Sequence, residues 1–268
     1  MNRAQTLTLL LVVAPFIPRA THAQDAKSIV AAAVKVELDS DRDDHTAFMY
    51  RDHDITPDHD TLYYVVETPQ GVLKKKLEDH GRPLTPDERR EDDQKIQALV
   101  NDPAAMARLR RDSSHDDNQA EQMLRLLPAA FLWTIVSDTG NLVTLSFKPD
   151  PNFSPSVFDP EAKVLGAMGG QITVTRPDMH IASIKGTLLS DVNFFGFLGH
   201  LRKGGSFEVI RKDVAGGHWQ MTEQHVHING HALFFKTISS NEDELRKDFK
   251  ISTVPGLPQA YDVLKEVK

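Results

Sequence analysis

The chain contains 0 cysteines, and that absence settles several questions at once. Without thiols there is no disulfide, no thiolate metal site, no cysteine nucleophile and no lipid-bearing cysteine of the bacterial lipoprotein kind, so the fold must stand on packing. Long hydrophobic runs are also missing. Past the first two dozen residues nothing approaches the roughly eighteen apolar residues that a membrane-spanning helix needs. Catalytic signatures are missing too: there is no G-x-S-x-G elbow, no H-E-x-x-H, and no phosphate loop or dinucleotide fingerprint after a strand. The expectation is a non-enzymatic protein with no catalytic residues and no cofactor. Internal repeats and low-complexity linkers are absent as well, which favours one domain over two.

What is present begins with residues 1–23, which read as a secretory signal peptide. Arg3 gives the positive start, Leu7 to Ala14 form a short apolar core with Thr8 as its polar member, and Thr21-His22-Ala23 places small residues at the cleavage-reading positions. The expected location is periplasmic or extracellular, with no transmembrane anchor after cleavage. Loss of Arg3 and Arg19 moves the net charge from -7 to -9, and an acidic chain is not drawn to nucleic acid or anionic lipid by charge. With hydrophobic residues at 40% and charged residues at 26%, residues 24–268 can build their own core.

Periodicity then sketches the elements. Gln24 to Val36 carries a helical stripe of Ile29, Val30, Ala33, Val34 and Val36. A short strand around Thr46 to Arg51 follows, then a break at Thr56-Pro57 and a hairpin of Leu62–Val66 and Val72–Leu77 about Pro69-Gln70-Gly71, its second strand charged and expected to be exposed. Thr85-Pro86-Asp87-Glu88 has the order of a capping box with proline at the first helical position, and Asp102-Pro103 repeats the signal. The helical block spans about 86–127, interrupted by a polar break at Asp112–Asp117 and ended by Pro128. Strands are expected at Phe131–Val136, Leu142–Phe147, Gln171–Thr175, His180–Leu188, Ser206–Val214, His218–Ile228 and His231–Ile238, with a closing helix over Leu257–Val267. Turn signals about every ten residues indicate an antiparallel meander.

Three features could carry chemistry. His225 and His227 share one face of a strand, whereas His231 falls on the other if Asn229-Gly230 is a two-residue hairpin turn, so no three-histidine metal site is expected and no metal is assigned. Asp39, Asp41, Asp43 and Asp44 resemble the start of a calcium loop but lack its glycine and closing glutamate, and read as a solvated acidic segment. The triplets Asp52-His53-Asp54 and Asp58-His59-Asp60 place acids beside imidazoles, although adjacent side chains usually diverge. The apolar stretch Val192 to Leu201 holds Phe194, Phe195, Phe197 and Leu198 around Gly196, either a kinked core strand or a flap over a hydrophobic pocket.

The runs Leu127–Phe131, Leu145–Phe153, Met179–Leu188 and Leu201–Phe207 resemble a group of uncharacterised exported bacterial proteins, similar in plan to the periplasmic lipoprotein-carrier and outer-membrane lipoprotein-sorting fold. That resemblance implies an α+β fold: a strongly curved antiparallel sheet, an incomplete barrel, with helices covering the concave face. The charge of Asp87–Asp117 departs from what a lipid lining needs. The functional expectation is a binding protein, a carrier or sensor of an apolar ligand such as a lipid, acyl chain or acylated protein, with Phe194, Phe195, Phe197 and Leu198 as ligand-binding residues. The alternatives are a scaffold for another envelope protein with no small ligand, and a metal-dependent hydrolase.

Overall fold

In a computed structural model, which describes residues 20–154, 159–194, 199–232 and 241–267, the chain is α+β and is built on an eleven-stranded antiparallel sheet that does not close into a barrel. Helix α1 (Ala20–Asp43) leads into β1 (Phe48–Ile55), β2 (Asp60–Thr68), β3 (Gly71–Asp79) and β4 (Arg82–Pro83). Helices α2 (Pro86–Val100) and α3 (Pro103–Ala130) follow, then β5 (Phe131–Asp138), β6 (Leu142–Pro149), α4 (Pro160–Leu165), β7 (Met168–Thr175) and β8 (Ile181–Leu188). The remainder is β9 (Val192–Phe194), β10 (Gly199–Leu201), β11 (Ser206–Asp213), β12 (Trp219–His227), β13 (Gly230–Ala232), β14 (Asn241–Ile251) and α5 (Leu257–Glu266). The large sheet runs β4-β3-β2-β1-β14-β12-β11-β8-β7-β6-β5, and β13-β10-β9 form a small second sheet.

Local signals account for much of this. Thr85 caps α2 as expected: its hydroxyl accepts from the Glu88 amide while the Glu88 carboxylate accepts from the Thr85 amide. The Arg82 guanidinium and the Thr85 amide hold the Glu88 carboxyl well below the usual carboxylate range. Thr85→Ala is expected to lower stability by about 1 kcal/mol and the melting temperature by about 2–4 °C, read by calorimetry.

Helix α3 differs from the expectation. It runs unbroken through Asp112–Asp117, because that polar stretch has no glycine or proline and its exposed face is held by Asn118 Nδ2 donating to the Ser114 carbonyl and by the Glu121–Arg125 pair. Pro128 lies inside the last turn, two residues before the end. At 28 residues the helix is about 42 Å long. It carries the chain from the β2–β3 turn, where Arg110 donates to the Gln70 carbonyl, to the opposite edge of the sheet at β5.

Cross-strand partners share a face of a sheet, so the registers assign each core to a side. Ile172, Leu145, Val174 and Val143 join Ala26, Val30, Ala33 and Val34 of α1, the end of α3 and α4 in the largest core. Val66 and Leu73 point to the other face, where Ile96 of α2 and Leu257, Ala260 and Leu264 of α5 cover them. The helical cover is therefore divided between the two faces at the two ends of the sheet. Among the described side chains of α1 the first buried is Ala26. No helix among the described residues is long and apolar enough to cross a membrane.

Candidate functional site: a polar ladder across the sheet

Between the two helical layers, the face of the sheet turned away from α1 carries two polar rows. The register aligns Gln171 of β7, Lys185 of β8, Glu208 of β11, His225 of β12 and Asp243 of β14 as successive cross-strand neighbours. Two residues along, Thr187, Ser206, His227 and Asn241 form a parallel row. These side chains, Asp243 and Asn241 apart, line a groove of about 590 Å³ floored by Gly170 and Gly186. Neither position has room for a side chain: a Cβ at Gly186 would stand 2.5 Å from the Phe207 ring, and one at Gly170 would stand 1.9 Å from the Lys185 carbonyl oxygen of the neighbouring strand.

Asp243 organises the end of the groove. Its Oδ1 lies 2.6 Å from His225 Nδ1 and 3.4 Å from His227 Nε2. A carboxylate can only accept, so the His225 proton sits on Nδ1, leaving Nε2 as an acceptor when the ring is neutral. Glu223 is 3.9 Å from that Nε2 and is itself bound by Lys212. Lys185 and Glu208 differ from their surroundings: among the described residues neither enters an ion pair, although they are neighbours across the β8–β11 ladder. The two rows offer an ammonium, two carboxylates, two imidazoles, two amides and two hydroxyls, a set suited to hydrogen-bonding a polar ligand. It contains no thiol, and among the described residues no group of three metal-ligating side chains converges.

The other face of the β1–β14 region holds a second polar group, one that is structural. Asp52 is 0 % exposed, with Oδ2 2.6 Å from Lys74 Nζ and Oδ1 3.8 Å from Arg246 Nε. Arg246 also donates to Glu244 Oε1 through both Nε and an Nη, at 2.8 and 2.6 Å, and lies over the Tyr50 ring. Burial pushes the Tyr50 phenol and the Glu67 and Glu244 carboxyls up. Burial opposes the charge of Arg246, yet Tyr50, Glu244 and Asp52 together hold its pKa above the ordinary value. Asp52 Oδ2 is thus held by Lys74 and Glu244 by Arg246, while Asp52 Oδ1 has no hydrogen-bond partner among the described residues.

The residues singled out in the sequence separate as follows. His225 and His227 share a face, as expected. The hairpin proposed to link them to His231 does not form: β13 pairs with β10, placing His231 opposite His200 in the small sheet, and the neighbour of β12 is β14. The physical reason is Gly230, whose φ of +151° brings the backbone so close to β10 that a Cβ would stand 2.0 Å from the His200 carbonyl oxygen. Residues 233–238 of the expected strand lie outside the described residues. Asp39, Asp41 and Asp43 lie on the last turns of α1, and Asp44 follows the helix and bonds His218. The two triplets interlock across the β1–β2 turn through His53–Asp60 at 2.6 Å and His59–Asp54 at 3.1 Å, with Asp52 and Asp54 on the face of β1 opposite His53. Phe194 ends β9, and Phe195, Phe197 and Leu198 lie outside the described residues. Lys185, Glu208 and Asp243 were not singled out, because their adjacency exists only once the strand register is known. Compared with protein-family models, with curated proteins and with solved structures, the chain matches none.

Proposed function

We propose that the mature chain is a non-enzymatic exported binding protein whose ligand-facing surface is the polar ladder. The observation that supports this most is the pairing of Lys185 with Glu208, charged neighbours that share no ion pair with other described residues, in a groove that also holds Asp243-anchored imidazoles. Charged groups left unpaired on a sheet that otherwise pairs most of its charges are available to a ligand, and a hydrogen bond to a charged group contributes about 1.5–3 kcal/mol. The ligand class that fits is polar and carries both donors and acceptors. Nucleophilic catalysis has no support here, because no hydroxyl among the described groove residues is hydrogen-bonded to either imidazole.

An apolar ligand would be held instead by Phe194, Phe195, Phe197 and Leu198, the apolar stretch that the sequence offers as a flap over a hydrophobic pocket. Two probes separate these readings: a fluorescent oligosaccharide bearing amino and carboxylate groups, and a fluorescent fatty acid. The proposal expects the saccharide to bind and Lys185→Ala to weaken it at least about tenfold, which is about 1.4 kcal/mol. Fatty-acid uptake abolished by Phe195→Asp and indifferent to Lys185→Ala would transfer the function to the apolar segment.

A further inference from the structure

The two edges of the large sheet are finished in opposite ways. At one end the outermost strand β4 is only the dipeptide Arg82–Pro83, and the rest of the β3 edge is covered by α2, whose Asp92 carboxylate accepts from the Lys76 backbone amide at 3.0 Å. Short edge strands, proline and a covering helix are the usual means of preventing strand addition. At the other end β5 has eight residues, no proline and no basic residue, packs its core face against α1, and among the described residues pairs on one side only, with β6. Among the described residues no side chain accepts from a β5 backbone amide. Leu132 and Val136 are 41% and 52% exposed along it.

We infer that β5 is the interface through which two copies of this chain join edge to edge, extending the sheet antiparallel across a two-fold axis at Thr134. The strand is its own complement in that register. Thr134 meets Thr134 of the second copy, each Leu132 meets a Val136 on the solvent-facing side, and each Trp133 meets an Ile135 on the core side. A two-fold axis demands this kind of self-matching, residue i against j and j against i. Charge permits it: Asp138, at the very end, is the strand's one charged residue, so no like charges are set opposite each other along its centre. The bulge between Ile135 and Ser137 adds twist near one end and leaves Leu132 and Val136 facing solvent.

Because the chain has 0 cysteines, Thr134→Cys creates a single thiol at the proposed axis. Opposed residues in an antiparallel pair have Cα atoms about 4.5–5.5 Å apart, within the range that a disulfide bridges. The test combines sedimentation equilibrium with oxidative cross-linking. The expected results are a reversible dimer for the wild type, efficient cross-linking of Thr134→Cys, none for Val72→Cys at the far edge, and dimerisation of Thr134→Lys weakened at least about tenfold by like charges on the axis. Circular dichroism checks that Thr134→Lys is folded, and if it is not, the cross-linking result decides. A wild type that stays monomeric across the concentration series overturns the inference. So does a dimer that Thr134→Lys leaves unchanged and Thr134→Cys fails to link.

Discussion

Asp52→Ala is expected to destabilise the fold by about 3–5 kcal/mol, the range for removing one partner of a buried ion pair. The side chain is fully buried, although the sequence sets it in a stretch dense in acid and histidine. Its loss leaves Arg246 among Glu244 and the Tyr50 ring without its second carboxylate, and Lys74 without its 2.6 Å partner. Asp52→Asn keeps the shape and should cost less. Chemical denaturation is the measurement: the midpoint should fall with the slope unchanged, since the surface exposed on unfolding stays the same. The same cluster sets a pH dependence. Glu67 and Glu244 have native pKa values raised by burial, so the native state keeps protons that the unfolded chain releases. Their contribution to stability is therefore present at low pH and is lost as pH rises from the unfolded carboxylate value through the raised native ones. A loss of stability below about 1 kcal/mol for Asp52→Ala, from the midpoint shift multiplied by the slope, would show that the network contributes little.

Glu37→Ala is the second large effect, also about 3–5 kcal/mol. Glu37 lies on the buried stripe of α1, where Oε1 accepts from the Ile181 backbone amide at 2.7 Å and Oε2 accepts from Arg211. His180, stacked on Trp219, brings Nδ1 within 3.5 Å. Removing the carboxylate strands a buried amide and a half-buried guanidinium together. Glu37→Gln retains an acceptor for Ile181 and should recover part of the loss. Hydrogen exchange locates the effect: amides of α1 and the start of β8 should lose protection first, whereas those of α2 and α5, on the other face, should not. Uniform loss of protection would mean that Glu37 does not act as a local tether between helix and sheet.

These two residues also show what the sequence conceals. Elements closed by local chemistry are legible: the Thr85 capping box, the hairpin about Pro69–Gly71, and the β5–β6 turn with Gly140 at φ +86° all follow from neighbours in the chain. Glu37 and Asp52 are not, because a charged residue in an amphipathic pattern reads as surface until its partner arrives from far along the chain. Lys75 is a third case, on a strand expected to be exposed: it is buried, donating to the Leu264 carbonyl at the end of α5. The largest omission is β14. Its sequence, Asn241 to Ile251, is charged at most positions and shows no alternation of apolar and polar residues, so periodicity has nothing to detect. Yet it is the strand between β1 and β12, and its two faces supply Asp243 to the groove and Glu244 and Arg246 to the buried network. The candidate site was half visible for the same reason: His225 and His227 stand out two apart, whereas Lys185, Glu208 and Asp243 meet them only through register.

Native mass spectrometry of the protein purified from its own source, as wild type and as Lys185→Ala with His225→Ala, tests the central claim most directly. If the polar ladder is the ligand-facing surface, the wild type carries a polar adduct that the double variant, folded by circular dichroism, has lost. A lipid adduct carried equally by both would contradict it.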